Sequence, residues 1–454
     1  MTTTYPIIKM FLSTGVVEFS SAEIISANII QEINNLSAEL PISTLEFRIL
    51  STDVTFSMFG SFNLLTEHIP LLVYESVGAS SIFLGKFYLD DWENISESEF
   101  TFKAVDILGI MAKTNFDGIF FSAPTTLESV LYQVLVPANI PYTLDDSIKD
   151  VEIEGWTPPS DYREALQQIC FASGATVSTA RSETLLITPL SLPVWIYDTK
   201  IRDADKGMEQ PVKLLPLVTN IELISHDYTQ SLVIETAFEK YLEAGSHKIV
   251  FDKPYYDIVV DGPGYTPFVL GTEGGDYLAT ENGDYFEVGG EYVFGPNALY
   301  LEMSIAGMVT ITAYPWVDNK KGYLFVETGA EEFLTQNTLK IEDATLVSAD
   351  IAQTVLDKVR DYYRQRYTQN LSLFSSTVKP GDIIQTISLY DNKLLTSIQK
   401  MNIDLTGGYR MKVDSLGIVP VYVEPLVSPY RRPRTGIAIS GIDPMRQNKF
   451  RRYA

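Results

Sequence analysis

Apolar and polar residues alternate with period two along much of the first 116 residues. In Thr44-Leu45-Glu46-Phe47-Arg48-Ile49, Leu45, Phe47 and Ile49 fall on one face of an extended chain and the polar side chains on the other. The same period returns in Glu99-Phe100-Thr101-Phe102-Lys103-Ala104-Val105, and between the two lies an apolar stretch, Ile82 to Leu89, in which Gly85 marks a bulge. Short strands with no helical pattern between them predict a barrel or sandwich.

The period changes after Pro124. Thr125 and Glu128 have capping-box spacing ahead of Leu127, Val130, Leu131, Val134 and Leu135, and Pro137 ends that helix. A second helix starts near Ser160, after Trp156-Thr157-Pro158-Pro159, buries Leu166, Ile169 and Cys170, and stops at Gly174. Ala175 to Thr179 and Thr184 to Thr188 then read as a hairpin, so residues 117–192 form a small α/β unit.

Strand pattern resumes from residue 193. One long helix interrupts it, starting near Ser348 and carrying Ile351, Val355, Val359 and Tyr362 on one face, with Asp357, Arg360, Asp361 and Arg364 on the other. Lys379-Pro380-Gly381-Asp382 is a turn, followed by a strand from Ile383 to Leu389. Upstream, Gly275-Asp276-Tyr277 recurs as Gly283-Asp284-Tyr285, and Asn282-Gly283 predicts a hairpin turn. A calcium loop is the alternative use of these acids, but their spacing does not match a twelve-residue loop with its closing Glu.

Composition changes this picture in several ways. The 454 residues exceed one ordinary core, and 45% apolar with 20% charged content is that of folded globular protein. The abundance of Tyr (26) and Phe (23) beside Val, Ile and Thr favours strand. A single cysteine, Cys170, excludes an intramolecular disulfide. The N-terminus lacks the pattern of a secretory leader, and no run approaches the about 18 apolar residues of a membrane helix, so no membrane insertion and assembly in a cytoplasm are expected.

The net charge of −24 argues against ordinary nucleic-acid binding, which needs a basic surface. It serves solubility, or an acidic wall that keeps a polyanion from sticking. Catalytic signatures are missing. The three histidines, His68, His226 and His247, have no partner at metal-ligand spacing, and no nucleophile elbow, zinc-protease motif, phosphate loop or dinucleotide fingerprint occurs. A carboxylate pair involving Asp145 or Asp146 is the remaining hydrolase candidate. Cys170, between Ile169 and Phe171, reads as a buried thiol. No enzyme activity, cofactor or metal is expected.

The order of parts resembles the hub proteins at the distal end of phage tails and related contractile injection systems, including the tail-associated proteins of long flexible tails. Three stretches carry the resemblance. The first is Ile29-Ile30-Gln31-Glu32-Ile33-Asn34-Asn35-Leu36-Ser37-Ala38-Glu39-Leu40-Pro41, followed by Thr44 to Ile49 and Leu84 to Leu89. The second is Trp156 to Ser160 leading into Arg163 to Ile169 and Gly174-Ala175. The third is the helix ending Tyr362-Tyr363, then Lys379 to Asp382, then Asp404-Leu405-Thr406-Gly407-Gly408.

The resemblance implies a mainly β fold with an α+β insert: two tail-tube-like β-barrel domains, residues 1–116 and 193–420, separated by the small α/β domain. It also implies a homotrimer whose six barrels match a sixfold tail tube to a threefold spike or tip and line the DNA passage. The implied partners are the tail tube or distal ring protein, the spike or tip protein, the tape measure protein, and DNA passing without specific binding, in a virion tail. A receptor- or carbohydrate-binding tail protein, from the aromatic Gly-rich stretch Tyr277 to Tyr292, and a cell-envelope hydrolase are the alternatives.

Residues 421–454 differ from everything before them. They hold Arg431, Arg432, Arg434, Arg446, Lys449, Arg451 and Arg452 against only Glu424 and Asp443, so the preceding 420 residues carry −29. Pro425, Pro429 and Pro433 disfavour helix and central strand. This stretch is expected to be an extended basic arm whose Arg431, Arg432 and Arg434 pair with acids of a neighbour while Ile437, Ile439 and Ile442 fill apolar grooves.

Overall fold

The computed structural model describes residues 4–52, 56, 64–78, 80–192, 197–202, 205–207, 210–263, 265–267, 294–295, 297–327, 336–374, 377–387, 393–406 and 410–420. The Gly-rich hairpin expected around Asn282-Gly283 and the basic arm lie outside them. Residues 1–419 form one compact unit.

Seven strands come first: β1 (Thr4–Leu12), β2 (Gly15–Phe19), β3 (Ile24–Glu32), β4 (Thr44–Leu50), β5 (Pro70–Val77), β6 (Ser80–Ser96) and β7 (Glu99–Val105). Alternation does what it predicts: Leu45, Phe47, Ile49, Phe100, Phe102 and Ala104 are buried, with polar side chains between them facing outward. Phe47 and Phe102, cross-strand partners in β4 and β7, stack at 4.9 Å, and Phe19 and Phe56 pack onto them. The expected bulge is present: Leu84 is the extra residue, beside Gly85, where β6 shifts register against β5.

The insert follows as α1 (Ile107–Met111), β8 (Asn115–Phe116), β9 (Ile119–Thr126), α2 (Leu127–Leu135), β10 (Tyr142–Leu144), β11 (Glu152–Thr157), β12 (Ser160–Asp161), α3 (Tyr162–Ser173), β13 (Ala175–Ser178) and β14 (Leu185–Pro189). The cap of α2 is Thr126, one residue later than the capping-box spacing indicates: the β9–β11 ladder runs on through Thr125 to Thr126, opposite Glu152, and the helix starts where it ends. Asp161 caps α3, accepting from the Glu164 amide at 2.7 Å, and Gly174 ends it at φ 70°, the left-handed conformation of a helix C-terminus. Strands β13 and β14 form the expected hairpin.

The remaining elements are β15 (Thr199–Lys200), β16 (Val212–Leu214), β17 (Asn220–Gln230), β18 (Glu235–Leu242), β19 (Gly245–Val250), β20 (Tyr255–Asp261), β21 (Tyr265–Pro267), β22 (Phe294–Gly295), β23 (Ala298–Met303), β24 (Gly307–Val326), β25 (Thr338–Ile341), α4 (Ala349–Tyr363), β26 (Tyr367–Leu373), β27 (Ile383–Ile387), β28 (Lys393–Asp404) and β29 (Arg410–Ile418). Helix α4 buries Val355 and Val359, as its spacing requires, together with Ala352 and Leu356.

The strands before and after the insert share one sheet. Its order is β16-β26-β29-β28-β3-β4-β7-β6-β5-β1-β2, with β27 on β28 and β15 on β27. The seam is antiparallel pairing of β28 with β3, from Lys400 opposite Glu32 to Asp404 opposite Asn28. One apolar cluster runs across it, joining Ile8, Ile29 and Phe102 to Leu371, Ile398, Met401 and Val413. The two strand-rich stretches therefore share a sheet and a core, where two barrels standing apart were expected. Nor does the insert keep a core to itself: Leu131, Leu166 and Ile169 pack in one cluster with Leu223, Leu346, Val355 and Leu36.

Three tie points fasten these parts. Asp106, 1% exposed, caps α1 through the Gly109 amide at 3.2 Å and accepts from the Ser43 amide at 3.0 Å and from Thr179 of the insert at 2.7 Å. Arg181, in the β13–β14 turn, donates its backbone amide to Leu84 and its guanidinium to the Thr377 and Val378 carbonyls. Gly155, at φ 119°, runs against the segment before α4 so closely that a Cβ would lie 2.6 Å from the Thr345 oxygen.

Besides the small sheets of the insert, the strands β17, β18, β20, β24 and β25 make a five-stranded sheet, and β19, β21, β22 and β23 a four-stranded one. A separate apolar cluster that includes Ile249, Leu299, Leu301, Val309 and Ile311 lies in this region.

Candidate partner interface

The outward face of the large sheet is a set of charge ladders. Arg410, Asp404, Asn28, Glu46, Lys103 and Asp91 stand opposite one another in turn across β29, β28, β3, β4, β7 and β6. Lys103 and Asp91 approach to 3.3 Å. A second row joins Asn370, Asp414, Lys400 and Glu32, with Asn370 donating to Asp414 and Lys400 paired to Glu32 across the seam. Arg48 meets Glu99 at 2.7 Å. Cross-strand pairs of opposite sign stabilise a register by a few tenths of a kcal/mol each, and like charges opposite one another would cost as much. A groove of about 780 Å³ lies over the seam, with Asn28, Glu46, Arg48, Asn402 and Lys412 among its walls. Anions and cations are interleaved here, with Asn28 between Asp404 and Glu46, and the groove is lined by Arg48, Arg410 and Lys412 together with Glu46 and Asp404.

A different surface forms where β24 changes partner. Its first half, to Pro315, pairs with β18 and β20, and from Trp316 onward it pairs with β17. At the changeover a cleft of about 380 Å³ is walled by Trp156, Tyr228, Pro254, Pro315 and Trp316. The rings brace one another: Trp316 lies 4.7 Å from Phe120 and 5.7 Å from Tyr256, and Tyr256 stacks on Tyr314 at 5.3 Å. Trp156 is fixed by an Nε1 hydrogen bond of 2.6 Å to Asn297. On the rim, Val233 is 72% exposed, and Leu232 beside it in the chain 92%. Glu235 pairs with Lys253 at 2.6 Å and accepts from Tyr255 at 2.7 Å; burial works against its charged form, yet these two hydrogen bonds hold its carboxyl below the ordinary range. Asp318 accepts from buried His226 at 2.8 Å.

The residues singled out from sequence for catalysis are tied up in structure. Asp145 is exposed and accepts from the Ser147 amide and hydroxyl at 2.9 and 2.6 Å, the bonds that hold its carboxyl low, in a surface turn where Asp146 pairs with Lys149. Cys170 is fully buried, and burial pushes its thiol up, away from the reactive thiolate. Among the described residues no group of three or more His, Cys, Asp or Glu is placed to hold a metal. No described helix is long and apolar enough to cross a membrane. The candidate partner-binding residues Arg431, Arg432, Arg434, Ile437, Ile439 and Ile442 lie outside the described residues. The aromatic cleft was not read from sequence; Tyr256, Tyr314 and Trp316 are visible there only as strand-forming aromatics.

No protein-family model and no curated protein matches the chain. Solved structures do match. The tail protein from Neisseria meningitidis MC58 superposes on 90% of this chain and 96% of its own, with a TM-score of 0.51 at 7% identity. Prophage tail protein gp18 from Listeria monocytogenes EGD-e covers 92% of this chain and 95% of its own at TM-score 0.48 and 10% identity. The 43 kDa tail protein of prophage MuSo2 from Shewanella oneidensis covers 91% and 97% at 0.48 and 10%. At such identities the likeness is one of fold: the chain has the mainly β fold, with an α/β region, of the Neisseria tail protein.

Proposed function

We propose that this protein is a non-enzymatic structural component of a phage-type tail, and within it the hub that adapts a sixfold tail tube to a threefold spike or tip. The observation that supports the reading best is the fold shared with the Neisseria tail protein over nearly the whole of both chains. In this reading the strands before and after the insert, joined at the β3–β28 seam, are two tube-like halves of one sheet. Three chains then supply six such halves around a passage. A wall whose charges are cross-paired, on a body of −29, gives DNA nothing to adhere to and lets it pass without specific binding. The neighbours are the tube or distal ring protein, the spike or tip protein and the tape measure protein. The basic arm, residues 421–454, lies across an adjacent subunit, with Arg431, Arg432 and Arg434 on carboxylates and Ile437, Ile439 and Ile442 in apolar grooves.

Sedimentation of the purified chain tests the assembly: a species of three times 50.8 kDa is expected, and a monomer at every concentration overturns the reading. A chain ending at Pro420 tests the arm. It should stay folded and assemble more weakly than the full chain at low salt, with the difference shrinking as salt screens exposed ion pairs. Equal assembly at every ionic strength would make the arm a passive tail.

A further inference from the structure

Resting on that reading of the arm, we propose that the aromatic cleft at the β24 changeover receives the proline-rich start of the arm, residues 425–434, from a neighbouring copy. The cleft has the chemistry that binds an extended proline-rich segment: Trp156, Trp316, Tyr228, Pro254 and Pro315 line it, and aromatic walls of this kind pack against a three-residue-per-turn helix without requiring hydrogen bonds along it. Its walls are held in place before anything binds, by the Phe120–Trp316–Tyr256 ring contacts and the Trp156–Asn297 hydrogen bond, so little order is lost on docking. The exposed rim at Leu232 and Val233 leaves apolar surface in water that a partner would cover.

The sequence of the arm fits such a cleft. In a helix with three residues per turn, Leu426 and Pro429 fall on one ridge, and Tyr430 and Pro433 on the next. Charge complements shape: residues 220–261, which supply most of the cleft, hold eight carboxylates and three lysines, and the docking segment brings Arg431, Arg432 and Arg434. At the cleft itself stand Glu235, already paired with Lys253, and Asp318, so two carboxylates face one lysine there. Intermolecular docking of this kind would also explain why so basic a segment is attached to so acidic a body.

A benzophenone side chain in place of Ser428 of the full chain tests this by photo-crosslinking, with isotope-labelled and unlabelled copies mixed so that links between copies are distinguished from links within one. Links between copies are expected to map to residues 228–235, 253–256 and 314–318. They should fall at least five-fold with Trp316→Ala, and also with Arg431, Arg432 and Arg434 all changed to Glu, a variant that leaves the body untouched. Links that map elsewhere, or only within one copy, overturn the inference. If truncation at Pro420 weakens assembly while the links map elsewhere, the arm reading stands and the cleft is not its site. If truncation is harmless and no links form between copies, both fall.

Discussion

The large sheet and the smaller β region around β24 are built from the same kinds of residues but finished differently. In the large sheet the chain's own late strands cover what the early strands leave open: β28 pairs with β3, and Ile398, Met401 and Val413 complete a core begun by Ile8, Ile29 and Phe102. Its outward face carries cross-paired charges, and only at places such as Val16 and Leu50 are apolar side chains of its strands more than half exposed. Around β24 the described residues show no such cover. Leu232, Val233, Val259, Ile305, Met308 and Leu324 are all more than half exposed. A sheet closed by its own chain gains stability from burial, whereas apolar surface left in water gains only when another chain arrives. The first region is suited to carrying the fold and the second to contact.

The largest effect that would sharpen this contrast is loss of the aromatic centre of the large sheet. Phe102→Ala removes a fully buried ring that stacks on Phe47, and it should cost about 3–5 kcal/mol in equilibrium denaturation. Gly155→Ala comes next, at about 2–3 kcal/mol, because the residue sits at φ 119° and its new Cβ would press on the Thr345 oxygen. A nearly silent substitution would mean that the backbone at Gly155 is free to leave φ 119° and that the insert is not pressed against the segment before α4.

A third prediction concerns pH. Glu75, on β5, is 2% exposed and its Oε2 has no hydrogen-bond partner among the described residues; burial pushes its carboxyl up to about 7, and the attraction of Arg181 opposes this only in part. A carboxyl raised in the folded state contributes stability that is complete below its unfolded value near 4.5 and lost as pH rises through about 7. Glu75→Gln should therefore be more stable than the parent by about 2–3 kcal/mol at pH 8 and nearly equal to it at pH 4, as read from paired denaturation curves. A difference independent of pH would show that the carboxyl titrates normally.

The smallest effect on stability is expected at the contact region. Leu232→Ser should stay within about 0.5 kcal/mol of the parent, since the side chain is 92% exposed. Its signature is weaker assembly at unchanged thermal stability. A loss of several kcal/mol would mean that the rim is structural and that the two regions do not divide the work.

Local features were legible in the residues. Period-two alternation located the buried faces of β4 and β7, Gly174 ended α3, Ser348 preceded α4, and the Lys379-to-Asp382 turn closes with the Asp382 carboxylate accepting the Lys379 amide at 2.9 Å. Each depends on neighbours a few positions away, so the chain states it directly. The cap of α2 was misplaced by one residue because the strand before it runs on to Thr126, an end set by pairing with Glu152 and Ile153 of another strand.

What the sequence by itself determined was the three longer helices, the buried faces of β4 and β7 and the contrast between acidic body and basic arm; the short helix α1, among residues read as strand alone, was not among them. Which strand stands beside which was decided only in three dimensions. Alternation specifies a strand's inward face but not its neighbour, because backbone hydrogen bonds are the same for every partner. So the two strand-rich stretches read as separate barrels, and only the pairing of residues 400–404 with 28–32 made them one sheet. The aromatic cleft likewise exists only because β24 is long enough to leave β18 and β20 for β17, bringing Trp316 to Trp156 and Tyr228 from distant parts of the chain.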